Sequence, residues 1–470
     1  MIFFKKIQFY FALWVAKFTA LGLKIVGRKG TSLPGSLAII LCHDFFKYMD
    51  KPKTIVGITG TNGKTTTANL IADALIKCGV DFVGNREGSN TPTGVASVMI
   101  ANGNWLGKQK KQVAVFEIDE RSSLSVFPYV KPNYLLVTNI FRDSYRRNAH
   151  VEFIFNILND GIPKETKLIL NGDDPLCSSL GKECEKVCFS LLKQDFEKDA
   201  LKNLVRDGTF CPVCEKELTY DFTRYHHIGK VHCDNCGYTL PDSKYKGIKV
   251  DAENKKLQLT IGEKAYSCKL LDKNPINVYN QLSAIAVLCE MGIESEKVMA
   301  AFDNISIDET RFNITKVCGK TIFSHLAKGQ NPVACSRVFE NIKNFPGEKT
   351  IVLYLDDHFD AKYSVENIAW FYDTDFEFLK DESIKEILVG GVRHLDVYLR
   401  LLLAGVDESK IHHTHETGDV LAYADVEKSD TFIICYDVFT TSECNMAKAK
   451  LTEMINAKYG TEKEESTDEN

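Results

Sequence analysis

The sequence predicts an α/β protein of two parallel-sheet domains, the first interrupted by a small cysteine-bearing insertion. Three observations carry this. Short β-branched runs alternate with helical stretches through most of the chain, and a glycine-rich loop joins the first such run to a helix. Between about 195 and 245 the alternation stops and paired cysteines take its place. At 470 residues the chain also exceeds what one hydrophobic core accommodates.

Residues 1–50 form an N-terminal helical segment. Met1 to Gly27 is apolar and aromatic, with Lys5, Lys6, Lys17 and Lys24 interleaved. Its longest uncharged run, Ile7 to Ala16, falls short of the roughly 20 apolar residues of a membrane span. No small-residue cleavage site follows, which speaks against a signal peptide. The expectation is an amphipathic helix, packed on the protein in preference to lying on a membrane surface.

Residues 51–315 read as an ATP-binding domain. Thr54-Ile55-Val56-Gly57-Ile58 is a strand, and a helix follows from Thr66 to Cys78. Gly57 to Thr65, between them, has the spacing G-x-x-G-x-x-G-K-T of a P-loop. Its glycines let backbone N–H groups converge on phosphate oxygens, and the helix N-terminus adds its dipole. The expected nucleotide contacts are Gly60, Thr61, Asn62, Gly63, Lys64, Thr65 and Thr66. Lys64 offers a charge to the β/γ-phosphates, and Thr65 a hydroxyl to Mg²⁺.

Three more buried-strand runs follow, 113–117, 134–138 and 167–171. Glu117, Asp119 and Glu120 close the first of them. Strand ends are where such sheets bind ligands, so a Mg²⁺ carboxylate is one reading and a solvated acidic turn the other. The return to sheet is expected at 248–250 and 257–261, then a helix from Val278 to Met291.

The insertion, about 205–242, holds Cys211-x₂-Cys214 and Cys233-x₂-Cys236, 18 residues apart. Two such knuckles supply four thiolates to one tetrahedral Zn²⁺, closed to water and so structural. The nearby His226, His227 and His232 are read as solvated loop residues. The other eleven of the 15 cysteines are scattered, as in a reducing compartment. Residues 316–458 form the second α/β domain, with strands expected at 350–354, 386–390 and 431–435; 459–470 reads as a disordered tail. A net charge of −5 leaves no basic footprint for nucleic acid.

The P-loop Thr59-Gly60-Thr61-Asn62-Gly63-Lys64-Thr65-Thr66-Thr67 resembles that of Mur ligases and folylpolyglutamate synthases. Further segments narrow the resemblance to the MurT family, the Mur-ligase-like subunits of lipid II isoglutaminyl synthase. They are Arg28 to Gly35, Phe116-Glu117-Ile118-Asp119-Glu120, Thr138 to Asp143, Asn171-Gly172-Asp173-Asp174-Pro175, the four-cysteine insertion, and Asn277-Val278-Tyr279-Asn280. Ala369 to Asp373 and Gly390 to Arg393 are similar to that family's C-terminal domain.

The resemblance implies a Mur-ligase-type central domain with an inserted zinc ribbon and a C-terminal α/β domain. It implies an ATP- and Mg²⁺-dependent amidation of the D-glutamate α-carboxylate of lipid II. The ammonia would come from a class-I glutaminase partner of the GatD type, in the cytoplasm and at the inner face of the membrane. It matches Glu117 to the magnesium carboxylate, Asn277 and Asn280 to a nucleotide-contacting segment, and Arg311 to an arginine following the central domain. Asp357, with Asp360 second, matches the carboxylate offered to the partner's catalytic histidine, although Asp356 to Ala361 departs from the family's acidic signature. A standalone Mur- or folate-type amide ligase and a non-catalytic nucleotide-binding scaffold are the alternative readings.

Overall fold

The structure, a computed structural model, describes residues 2–86, 89–142, 150–195, 197, 203–305, 313–327, 329–355, 368–437 and 439–460. The chain divides into two compact units, one of 1–141, 150–201 and 207–307, the other of 142–149, 202–206 and 308–470.

The first unit is built on a nine-stranded sheet. Its parallel body is β1 (Thr54–Thr59), β2 (Val83–Gly84), β3 (Val113–Glu117), β4 (Tyr134–Val137), β5 (Lys167–Asn171) and β6 (Lys186–Leu191), in the order β6-β5-β4-β1-β3-β2. These strands are near-continuous apolar runs because helices cover both faces; Ile55, Val56, Ile58, Leu135 and Leu136 are all buried. Beyond β6 the sheet is extended by β9 (Tyr245–Asp251), parallel to β6, and then by the antiparallel strands β10 (Lys256–Ile261) and β11 (Lys264–Lys269). β1 lies between β3 and β4, so the chain runs to one side of it and then the other. That reversal opens a crevice at the carboxyl end of β1, where open parallel sheets place ligands.

The helices of this unit begin with α1 (Ile2–Ile25), α2 (Leu33–Leu41), α3 (Phe45–Tyr48), α4 (Lys64–Lys77), α5 (Pro92–Asn102), α6 (Ser123–Val130), α7 (Val151–Gly161), α8 (Pro175–Ser179) and α9 (Pro275–Glu290), and α4 leaves this crevice to pack against α9. Pro275 at the first turn and an Asn274 side chain accepting from the Ile276 N–H start α9 three residues ahead of the Val278 expected from the sequence. The N-terminal helix α1 (Ile2–Ile25) packs on α2 (Leu33–Leu41), with Phe9, Ala12, Leu13 and Ala16 in the core of the unit. No helix among the described residues is long and apolar enough to cross a membrane. The cysteine insertion forms the hairpin β7 (Thr219–Tyr225) and β8 (Ile228–His232), with a small core of Cys211, Leu218, Val231 and Cys233.

The second unit holds a six-stranded sheet, β12-β13-β17-β14-β15-β16, parallel except for the β12–β13 pair. The strands span Asn313–Val317, Lys320–Leu326, Lys349–Tyr354, Ile384–Gly390, Ile411–Thr414 and Thr431–Tyr436 in chain order from β12 to β17. Both faces are covered: Phe339, Phe371, Phe376 and Leu401 pack on one, and Leu421, Ala447, Leu451 and Ile455 on the other.

Candidate functional site

The P-loop occupies the crevice at the end of β1, and its geometry accounts for its glycines. Gly60 has φ +114°, and a Cβ there would stand 2.4 Å from Thr138 Oγ1 and 2.8 Å from the Asn139 carbonyl oxygen. Gly63 has φ +88°, and a Cβ would stand 2.2 Å from Asn280 Oδ1. Each position therefore excludes a side chain twice, by backbone conformation and by space. The segment after β4 straps the loop in place. Thr138 Oγ1 donates to the Asn62 carbonyl (2.7 Å), Asn139 Oδ1 accepts from the Asn62 N–H (2.9 Å), and Thr61 N–H donates to the Asn139 carbonyl (3.0 Å). The Thr61 hydroxyl donates to the Phe141 carbonyl (3.0 Å) and accepts from its N–H (2.9 Å).

Lys64 opens α4 with its amine folded back over the loop. Nζ donates to the Gly60 carbonyl at 2.5 Å and lies 3.1 Å from Glu120 Oε1, both side chains being largely shielded from water. Burial works against the ammonium, but the charge and hydrogen bond of Glu120 outweigh it and hold the lysine pKa above its ordinary value. Burial also lifts the Glu120 carboxyl, which Lys64 only partly offsets. The two shifts compete for one proton; the lysine keeps it, because an ammonium is intrinsically a far weaker acid than a carboxyl and the lysine's pKa is raised as well.

Beside it, Thr65 Oγ1 donates to Glu117 Oε1 (3.1 Å), which also accepts from Asn90 Nδ2 (3.2 Å). Asn85 fixes the Glu117 backbone from both sides, accepting from its N–H (2.8 Å) and donating to its carbonyl (2.7 Å). On α9, Asn280 contacts the P-loop at Gly63 and donates to Asn277 Oδ1 (3.2 Å), while Asn277 Nδ2 donates to Asp272 (2.6 Å).

The structure thus brings Gly60, Thr61, Asn62, Gly63, Lys64, Thr65, Thr66, Glu117, Asn277 and Asn280 to one end of one sheet. Arg311, Asp357 and Asp360 lie outside the described residues, as does the tail from 461. Glu120 is the residue the sequence left undistinguished from its neighbours. Only burial separates it, paired with Lys64, from the half-exposed Glu117 beside Thr65.

The residues fit a nucleotide triphosphate with its metal. Gly60 and Gly63 take the positive-φ conformation of anion-binding loops, and the buried Asn62 Nδ2 has no hydrogen-bond partner among the described residues. The Thr65 hydroxyl and the Glu117 carboxylate stand together, a donor set that suits an oxygen-preferring cation.

The four cysteines of the insertion converge. Their sulfurs all lie within 4.8 Å of one another, with Cys211–Cys236 at 3.6 Å and Cys214–Cys233 at 3.5 Å. Tetrahedral zinc with bonds of about 2.3 Å requires sulfurs about 3.8 Å apart, so the set fits. The two knuckles share one hydrogen-bond pattern. Cys211 N–H donates to the Lys216 carbonyl and Glu215 N–H to the Cys211 carbonyl; Cys233 with Tyr238 and Gly237 with Cys233 repeat it. Glu215 (φ +60°) and Gly237 (φ +71°) make the left-handed turn after each second cysteine. The clustered thiols share their charge: Cys214 is drawn down to about 6, first by a backbone hydrogen bond from Lys216, and Cys236, against a backbone hydrogen bond from Tyr238, is pushed up to about 12 by burial and its neighbouring thiols.

One zinc ion per chain is therefore expected. Cys214→Ser should lower the melting temperature and leave ATP binding to the isolated protein little changed, as metal analysis and a thermal melt with nucleotide will read. Reduced, freshly prepared protein without zinc would contradict the assignment.

Two of the three histidines differ from expectation. His226 and His227 are buried, and His227 sits 4.4 Å from the Phe141 ring and 3.4 Å from Asp174. They close the turn between β7 and β8, where two residues with short loop spacing fold back onto the strap after β4. His232 is half-exposed and pairs with Asp221 and Asp234.

Comparison with known proteins agrees with this architecture. The Mur ligase middle domain profile matches residues 58–288, and the MurT ligase C-terminal profile matches residues 328–440. The chain is 31% identical over 454 residues to the lipid II isoglutaminyl synthase (glutamine-hydrolyzing) subunit MurT of Staphylococcus aureus (strain COL), covering 95% of this chain and 98% of that one. The protein of the same name from Streptococcus pneumoniae (strain ATCC BAA-255 / R6) is 31% identical over 404 residues, 85% of this chain and 88% of that one. Among solved structures, a pseudomurein peptide ligase type C from Methanothermus fervidus superposes with a TM-score of 0.62 at 22% identity, over 87% of this chain and 81% of its own. MurF from Thermotoga maritima, solved with ADP, does so with 0.54 at 14% identity, over 90% and 85%.

Proposed function

The chain belongs to the MurT family of Mur-ligase-like proteins, and on that premise we propose that it amidates the D-glutamate α-carboxylate of lipid II to D-isoglutamine. Mur ligases use ATP and Mg²⁺, and the ammonia is assigned to a class-I glutaminase subunit bound to this chain. The observation that carries the reading is the pair of adjacent contacts at the end of β1. The Lys64 ammonium is held by the loop and Glu120, and the Thr65 hydroxyl faces Glu117.

A carboxylate is a poor acyl donor, and transfer of the γ-phosphoryl group to its oxygen makes that oxygen a leaving group. Mg²⁺, when held by Thr65 and Glu117, would neutralise charge that develops on the phosphates. Lys64, fixed before the reaction begins, supplies positive charge to the transferring phosphoryl without reorganising. Thr65 and Glu117 offer the metal two oxygens. Asn280, pressed on Gly63, fixes the loop against α9, and Arg311 is assigned to the nucleotide by its match to the family. Ammonia then attacks the acyl carbon, the C–O bond to phosphate breaks, and the nitrogen passes one proton to the departing phosphate to leave the amide. Water must be excluded meanwhile, because the acyl phosphate hydrolyses.

The carboxylate that orients the partner's catalytic histidine is assigned to Asp357, with Asp360 second. The four-cysteine ribbon is assigned a structural zinc.

This mechanism makes a labelling prediction. With heavy oxygen in the substrate's α-carboxylate, one labelled oxygen should appear in the inorganic phosphate released at each turnover. Phosphate without label would exclude an acyl phosphate while leaving the family assignment intact.

A further inference from the structure

We infer that the outward face of α1 docks the protein on an anionic lipid bilayer. Helix α1 has two apolar faces. Phe9, Ala12, Leu13 and Ala16 face inward and are buried. On the opposite side Phe4, Ile7, Phe11, Trp14, Phe18, Leu21 and Ile25 recur at alternate spacings of three and four, which aligns them in a single stripe. All seven are exposed, Phe4 by 74%, Phe18 by 64% and Ile25 by 77%. Trp105 and Leu106 continue the patch beside it, with the Trp105 ring 5.4 Å from Phe18 and its carbonyl accepting from Trp14 Nε1 at 3.0 Å.

Charge selects the occupant. Residues 1–43 contain no Asp or Glu, while Lys5, Lys6, Lys17, Lys24, Arg28 and Lys29 all fall within them, in a chain of net charge −5. Lys5 is held by Asp44, and Lys17 by the carbonyls of Ile100 and Gly103. Lys6, Lys24, Arg28 and Lys29 are exposed. Lys6, Lys17 and Lys24 are 11 and 7 residues apart, about three and two helical turns, so they line one flank of the stripe. A second copy seated on this face would bring like charges together. An anionic bilayer meets both features, since aromatic and aliphatic side chains enter the headgroup boundary and the flanking cations meet lipid phosphate.

With its inner face packed on α2, the helix lies along the surface and does not enter as a span. The inference stands on α1 and its neighbours. It deepens the proposed function, whose substrate is lipid-linked.

The test is flotation of the full chain with vesicles containing no lipid II, so its outcome is independent of the amidation reading. Wild type should float with vesicles of phosphatidylcholine and phosphatidylglycerol, much less with phosphatidylcholine alone, and less in high salt. Phe11→Asp with Phe18→Asp should weaken binding about tenfold or more at an unchanged melting temperature. Lys6→Glu with Lys24→Glu, which touches no core residue, should reduce binding to the anionic vesicles alone. Wild type that stays in solution, or charge and aromatic variants that float like wild type, would overturn the inference. A concentration-dependent dimer abolished by Phe11→Asp, with no flotation, would assign the face to a second copy instead.

Discussion

Lys64→Ala should reduce ATP-dependent amidation by about a hundredfold to a thousandfold. The ammonium is fixed by the Gly60 carbonyl and Glu120 before substrate arrives, so its charge acts on the transferring phosphoryl without a cost in reorganisation. The variant should still fold. Loss of the lysine leaves Glu120 buried without its cation, but burial already lifts that carboxyl toward its protonated form. The group can take up a proton, so no bare buried charge remains. Turnover with saturating ammonium, measured beside a thermal melt, checks both statements. Near-normal turnover would remove the phosphate role from Lys64, and a collapsed melt would make its role structural.

Asp357→Asn should depress glutamine-driven amidation by about a thousandfold or more. A glutaminase cysteine–histidine pair needs a third group that fixes the imidazole tautomer and stabilises the imidazolium; a carboxylate does both and an amide does neither. Amidation driven by free ammonium should be largely spared in this variant, and the complex with the glutaminase should still form. Equal loss with both nitrogen sources would place Asp357 in the ligase chemistry or in folding. Full glutamine-driven activity would move the role to Asp360 or off this chain.

The parts of the fold that were legible in the sequence are those buried on both faces. The runs 113–117 and 167–171 coincide with β3 and β5, because a strand covered by helices on each side must be apolar throughout. β1, β4, β14 and β17 differ from expectation by a residue at one end. The strands that the sequence did not announce are β2, β6, the hairpin β7–β8, the edge strand β11, the β12–β13 pair and β16. β11 is Lys-Ala-Tyr-Ser-Cys-Lys, mostly exposed, and β16 carries two histidines. Edges and half-solvated strands lack the continuous apolar signal.

The site was legible in the same measure. Glycine spacing with Lys-Thr marks a phosphate loop because few other uses require two left-handed glycines around it. The resemblance singled out Glu117, but the pairing of Glu120 with Lys64 was not legible, since Glu120 stands in the same run of carboxylates and only its burial sets it apart. The two apolar faces of α1 were likewise indistinguishable by composition. Packing on α2 decided which one turned inward.

The measurement that tests the account most directly is mass analysis of the lipid II stem peptide after incubation with this chain, its glutaminase, ATP, Mg²⁺ and glutamine. The account predicts that a hydroxyl is exchanged for an amino group at the D-glutamate α-carboxylate, that fragmentation places the amide there, and that omitting ATP abolishes it. An unmodified stem peptide in the presence of an active glutaminase and hydrolysable ATP, or an amide placed on another carboxylate, would contradict it.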